Sequence, residues 1–141
     1  MKLFLKCIFY VVLGLNFISC ESDNSAAKRT VNSAGIKLEN EFKLISYKCS
    51  GLTDYNIDIE LQLNSTDTKK IIKLIESQNG FFLADSIVGQ RFTLRANNDP
   101  YKRANNYHWH FYRPTKLSYE YYSIDVNELT NNFKLHYLDE E

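Results

Sequence analysis

The chain is poor in the residues that build special backbone or covalent chemistry. It has five glycines, two prolines, one tryptophan and three cysteines in 141 residues, and no net charge. Two of the glycines lie before residue 36, so few remain for phosphate-cradling loops or tight cofactor turns. No Gly-x-Ser-x-Gly, His-Glu-x-x-His or other catalytic signature is present, and no cofactor is expected. The neutral charge gives no reason to expect a nucleic-acid partner.

Cysteine is informative by elimination. Cys7 and Cys20 fall in an N-terminal segment with its own logic, which leaves Cys49 alone. One thiol cannot close an intramolecular disulfide, so the remainder must stand on packing. Cys49 is expected to be a small buried apolar group near the end of a strand.

What is there begins with an address. Lys2 and Lys6 precede a nearly unbroken apolar run, Cys7 to Ile18, and Ser19 precedes Cys20. A basic end, an apolar stretch and a small residue at the cut are the parts of an export signal. The stretch Phe17-Ile18-Ser19-Cys20 resembles the lipobox of bacterial lipoproteins, a family that favours Leu where this chain has Phe17. The resemblance implies cleavage before Cys20, lipid on its sulfur, and a membrane partner through that lipid. It implies a place in the bacterial cell envelope, on the outer membrane facing the periplasm or on the cell surface, the outer-membrane side being suggested by acidic Glu21 and Asp23. The alternatives are cleaved secretion and an uncleaved anchor, the apolar run being at the short end of what spans a bilayer.

Removing the first 19 residues leaves 122, enough for one domain. Two lysines and no acid leave with them, so the net charge becomes −2. Residues 20–35 are small, polar and without evident period, and are expected to form a lipidated flexible tether spanning roughly 20–25 Å as a coil. Residues 36–141 form the expected single domain.

Its fold class reads as α+β. Phe42–Cys49 reads as a strand. Tyr55, Ile57, Ile59, Leu61 and Leu63 then alternate with polar residues, a period of two that buries one face. One-sided burial argues for an antiparallel sheet with an open side. Ser65 or Thr66 is the expected cap of a helix in which Asp67 suits the first turn and Ile71, Ile72, Leu74 and Ile75 form an apolar stripe. Asn79-Gly80 would close it, and Phe81, Phe82 and Leu83 would plug the core. Strands are expected at Arg91–Ala96, Tyr107–Tyr112, Leu117–Val126 and Phe133–Tyr137. The expected order is β-β-α-β-β-β-β, an antiparallel sheet with one helix on one face, resting on the Tyr55–Leu63 surface. The tetrapeptide Arg95-Ala96-Asn97-Asn98 recurs at Arg103-Ala104-Asn105-Asn106, suggesting two similar turns.

The provocative triplet is His108-Trp109-His110. On a strand, residues two apart share a face, so the two imidazoles stand side by side. His108 and His110 are weak metal candidates, needing His136, Glu120 or Asp125 to complete a site. The plainer expectation is a solvent-facing pair with Tyr107, Trp109 and Phe111 on the core side. A third reading is a binding face made of Tyr107, His108, Trp109, His110, Tyr112, Arg103 and Arg113. It gains support from charge: residues 91–116 carry six basic side chains and one acid, and residues 117–141 carry six acids and one lysine. Arg, Tyr and Trp dominate binding hot spots. The competing account is that basic strands pair with acidic ones.

The functional expectation is a lipid-anchored, non-enzymatic protein-binding domain with a partner in the envelope, of inhibitor or immunity type. The alternatives are a glycan- or polyanion-binding module and, last, a small metal-binding protein.

Overall fold

The computed structural model describes residues 22–51, 55–86, 95–97, 99–116 and 118–140. The export signal and Cys20 lie outside the described residues, as do residues 91–94 of the strand expected at Arg91–Ala96. The elements are α1 (Asp23–Ser33), β1 (Lys43–Ser50), β2 (Asn56–Gln62), α2 (Ser65–Glu76), β3 (Phe82–Leu83), a 3-10 turn (Ala84–Ser86), β4 (Tyr101–Arg103), β5 (Asn106–Pro114), β6 (Tyr119–Asn127) and β7 (Asn132–Glu140). The seven strands form one sheet in the order β1-β2-β7-β6-β5-β4-β3. Every pairing is antiparallel except that of β3 with β4, which is parallel.

The α+β, mostly antiparallel character agrees with the sequence reading; the one-helix order does not. The expected coil at residues 21–35 contains α1. Ser22 caps it, with its hydroxyl accepting from the Ser25 amide. Ala26, Ala27, Thr30 and Val31 are buried, followed by Ala34. That is a helical stripe made of small residues, which is why its period is faint in the sequence. Gly35 ends the helix at φ +82. Its amide reaches the Asn32 carbonyl at 2.9 Å and the Ile36 amide reaches that of Val31 at 3.2 Å. This closure needs a left-handed residue, for which glycine carries no penalty. Ile36 and Leu38 are then buried on the way to β1.

Geometry explains why one helix was not enough. Five long strands at about 4.8 Å spacing span roughly 19 Å, and a helix with its side chains is only about 10 Å wide. α2 packs mainly against β5 and β6, and α1 packs on the β1 side. Between helices and sheet lies one core, with Ile59, Leu61, Tyr122, Ile124, Phe133 and Leu135 at its centre.

Local expectations shift in places. Asn64, not Ser65 or Thr66, caps α2, its side chain accepting from the amides of Thr66 and Asp67. Asp67 is buried, and its carboxylate accepts from the Asn40 amide and from Asn40 Nδ2, both at 3.0 Å. The approach to β1 is thus tied to the first turn of α2. Gly80 has φ +83, where an L side chain is strained, and a Cβ there would lie 2.4 Å from the Asp99 carboxylate and force it to shift. Phe82 is buried, but Leu83 is exposed. Arg95 and Ala96 lie in a helical turn, whereas Arg103 ends β4 and Ala104 and Asn105 turn into β5, so the described parts of the two repeats differ in shape. Cys49 sits on the edge strand β1 and is exposed rather than buried. Among the described residues no strand pairs with the outer side of β1.

Candidate functional site

Both helices lie on one face of the sheet, and among the described residues no helix covers the other, here called the open face. The strand registers sort every side chain between the two. On β5, Tyr107 is buried, Trp109 and Phe111 pack against the core, and Arg113 follows on the same side. His108, His110 and Tyr112 point to the open face, as does Arg103 from its register opposite Asn106. The seven residues proposed as one binding face therefore divide. Tyr107, Trp109 and Arg113 are on the helix side, and Arg103, His108, His110 and Tyr112 are on the open side.

On the helix side, Arg113 has a structural task. Its guanidinium donates to the Ser33 carbonyl at the end of α1, where the helix dipole presents negative charge. It lies 5.1 Å over the Tyr122 ring and 3.8 Å from Glu120. Tyr122 donates to Glu120 at 2.9 Å. Burial first, and then the Glu120 and Asp139 charges, push the Tyr137 phenol well above its ordinary range. At the opposite end of β5, Tyr107 Oη lies 3.2 Å from Glu76 of α2 and 3.4 Å from Glu128. Lys102 bridges to Glu128 at 2.9 Å. Hydrogen bonds to Tyr107 and Glu128 raise the Lys102 pKa above its usual value. Part of the segregated charge of the sequence thus resolves into local pairs, Arg113 with Glu120 across β5 and β6, and Lys102 of β4 with Glu128 in the turn after β6.

The open face has three zones. In the middle, Asp58, His136, Ser123 and His110 form one row across β2, β7, β6 and β5, and Glu60, Lys134, Asp125 and His108 form the next. His136 Nδ1 lies 2.8 Å from Asp58, and His108 Nδ1 is held by Asp125. His110 Nε2 donates to the Asn97 carbonyl at 2.7 Å. All three histidines of the chain stand on this face. Each has a ring nitrogen committed to an oxygen acceptor. Among the described residues no three His, Cys, Asp or Glu side chains are arranged to hold a metal ion. Of the groups expected to complete a site with His108 and His110, Glu120 lies on the opposite face, shared with Tyr122. A shallow depression of about 290 Å³ opens beside this zone, with Ser46, Lys48, Asp58, Glu60, Lys134 and His136 in its wall.

One end of the face is amide-rich: Gln62, Asn132, Asn127 and Asn106 stand in one row, with Asn127 donating to Asn106 at 2.8 Å. The other end is aromatic. Tyr112 faces Tyr121 across the β5–β6 pair with ring centroids 5.1 Å apart. Tyr121 also meets His110 at 6.4 Å and His136 at 6.1 Å. Tyr119 lies two residues from Tyr121 on the same side, and Leu138 is opposite Tyr121 on β7. Tyr112 is 64% exposed and Tyr119 60%. Nothing local in the sequence marks Tyr119 and Tyr121 as part of a site. Their alternation with buried Tyr122 and Ile124 was visible, but the register that sets them beside Tyr112 is not local information.

No protein-family model, no curated protein and no solved structure matches this chain. Among the described residues no helix is long and apolar enough to cross a membrane.

Proposed function

We propose that this chain is an envelope lipoprotein, held on its membrane by lipid on Cys20, whose domain binds a protein partner without catalysing a reaction. The observation that supports the reading is the pair of exposed tyrosines, Tyr112 and Tyr119, at one end of a sheet face that no described helix covers. Tyrosine offers a large, stiff contact area with a hydrogen-bonding tip, and it loses little conformational freedom when it becomes ordered. Three tyrosines close together, beside fixed carboxylate–imidazole pairs, give apolar anchoring and polar register on one surface. Inhibition of a lytic enzyme or toxin in the envelope is the role that fits a small anchored domain of this kind.

The test is capture from envelope extract by residues 22–141, at low and moderate salt, followed by calorimetry with the purified partner. A protein retained at both salts, and weakened about 10–30-fold by Tyr112→Ala with Tyr119→Ala, is the expected outcome, since a tyrosine hot spot contributes roughly 1–2 kcal/mol or more. Retention only of polymer that leaves as salt rises would replace protein with glycan as the ligand. Retention unchanged in the double variant would remove the tyrosine end from the site.

A further inference from the structure

Helix α1 changes what the lipid anchor does. Its first residue is Asp23 and its cap is Ser22. Only Glu21 separates Ser22 from Cys20. Two Cα–Cα steps reach no more than roughly 7 Å, whatever conformation they take. A coil from residue 21 to residue 35 would instead have let the domain rise some 20 Å. The helix is also fixed to the domain along its length. Ala27, Val31 and Ala34 belong to the core, Ile36 and Leu38 are buried after it, and Arg113 of β5 holds the Ser33 carbonyl. Ser22, Asp23, Asn24 and Ser25 are all exposed, so this tip points away from the core. Its side chains are small and polar, suited to lying among headgroups without entering the acyl region.

We propose that the N-terminal tip of α1 is the membrane-facing pole of the domain, seated on the phospholipid headgroups. It follows, given the reading of Cys20 as the lipidated residue, that the domain rides on its membrane at a fixed attitude. The sheet face opposite the helices is then held at one fixed angle to that membrane, and not swung through the surrounding space.

The test uses the full lipidated protein in vesicles of phosphatidylethanolamine and phosphatidylglycerol. A fluorophore is placed by Asn24→Cys in a Cys49→Ser background, with a quencher on the lipid headgroups. A second protein carries a flexible 15-residue Gly/Ser segment between Glu21 and Ser22, which adds roughly 20 Å of reach. Strong quenching without the insert, and several-fold weaker quenching with it, is expected. Hydrogen exchange on the same vesicles is expected to show the Thr30 and Val31 amides protected. Equal quenching in both proteins, or α1 amides exchanging as free coil, would overturn the proposal while leaving the anchor intact. The mass of the N-terminal peptide separates the two: absence of lipid on Cys20 would overturn the anchor, and the membrane-facing pole with it.

Discussion

Asp67 shows how one side chain can serve two parts of the chain. It was expected only as an acid in the first turn of α2. It is also the acceptor for Asn40, 27 residues earlier. Burial pushes its pKa up, but the hydrogen bonds from Asn40 and Asn64 and the charge of Lys70 outweigh that and hold it below its ordinary 3.8. A depressed carboxylate stabilises the fold above its unfolded pKa, and that contribution is lost as pH falls through the folded pKa. Asp67→Ala is expected to cost about 1–3 kcal/mol at neutral pH, because it leaves the Asn40 amide without its partner. Urea midpoints followed from pH 6 down to about pH 2 check the sign. The wild-type midpoint should fall toward that of the variant as pH drops below about 4, and parallel curves would contradict this account.

At the scale of elements, α1 is the informative case. It has weak apolar character but complete end signals: Ser22 with Asp23 at the start, and Gly35 at the close. Its hold on the sheet includes one long-range polar clasp, from Arg113 to the Ser33 carbonyl, beside the Tyr122 ring. Removing that clasp with Arg113→Ala is expected to destabilise the protein by about 1–2 kcal/mol. Arg113→Lys should recover only part of it, since an ammonium lacks the planar fork that lets arginine reach a carbonyl and lie over a ring at once. Hydrogen exchange in residues 27–33 should accelerate in both variants, more in Ala than in Lys. Unchanged exchange would show that burial of Ala27 and Val31 holds α1 without help.

For the whole molecule, the question is where the domain begins. Residue 36 is the boundary that composition suggests, and residue 22 is the one that packing supports. Cutting at residue 36 removes Ala27, Val31 and Ala34 from the core and uncovers the β1 side of the sheet. Each fully buried Val or larger apolar side chain contributes about 1.5–3 kcal/mol, against a total stability of only about 5–15 kcal/mol for a typical domain. Residues 36–141 alone are therefore expected to bind a hydrophobic dye and to unfold at much lower urea than residues 22–141. Matching unfolding curves for the two would restore the shorter boundary.

The residue pattern alone carries the alternating strands, the amphipathic stripe of α2 and the mostly antiparallel character of the sheet. These depend on periods of two and of 3.6, which are local and repeat within a few residues. It also placed His108 and His110 on one face, for the same reason. That α1 is part of the core depends on packing, because a stripe of alanine, threonine and valine has too little apolar area to announce itself until a sheet lies beneath it. The same holds for the exposure of Cys49, which depends on β1 being an edge, and for the split of Arg113 from Tyr112 in the candidate face. Tyr112 meets Tyr121, with Tyr119 on the same side, because β5 and β6 pair in one register. Register is a relation between strands, fixed by what the far side of the sheet must bury.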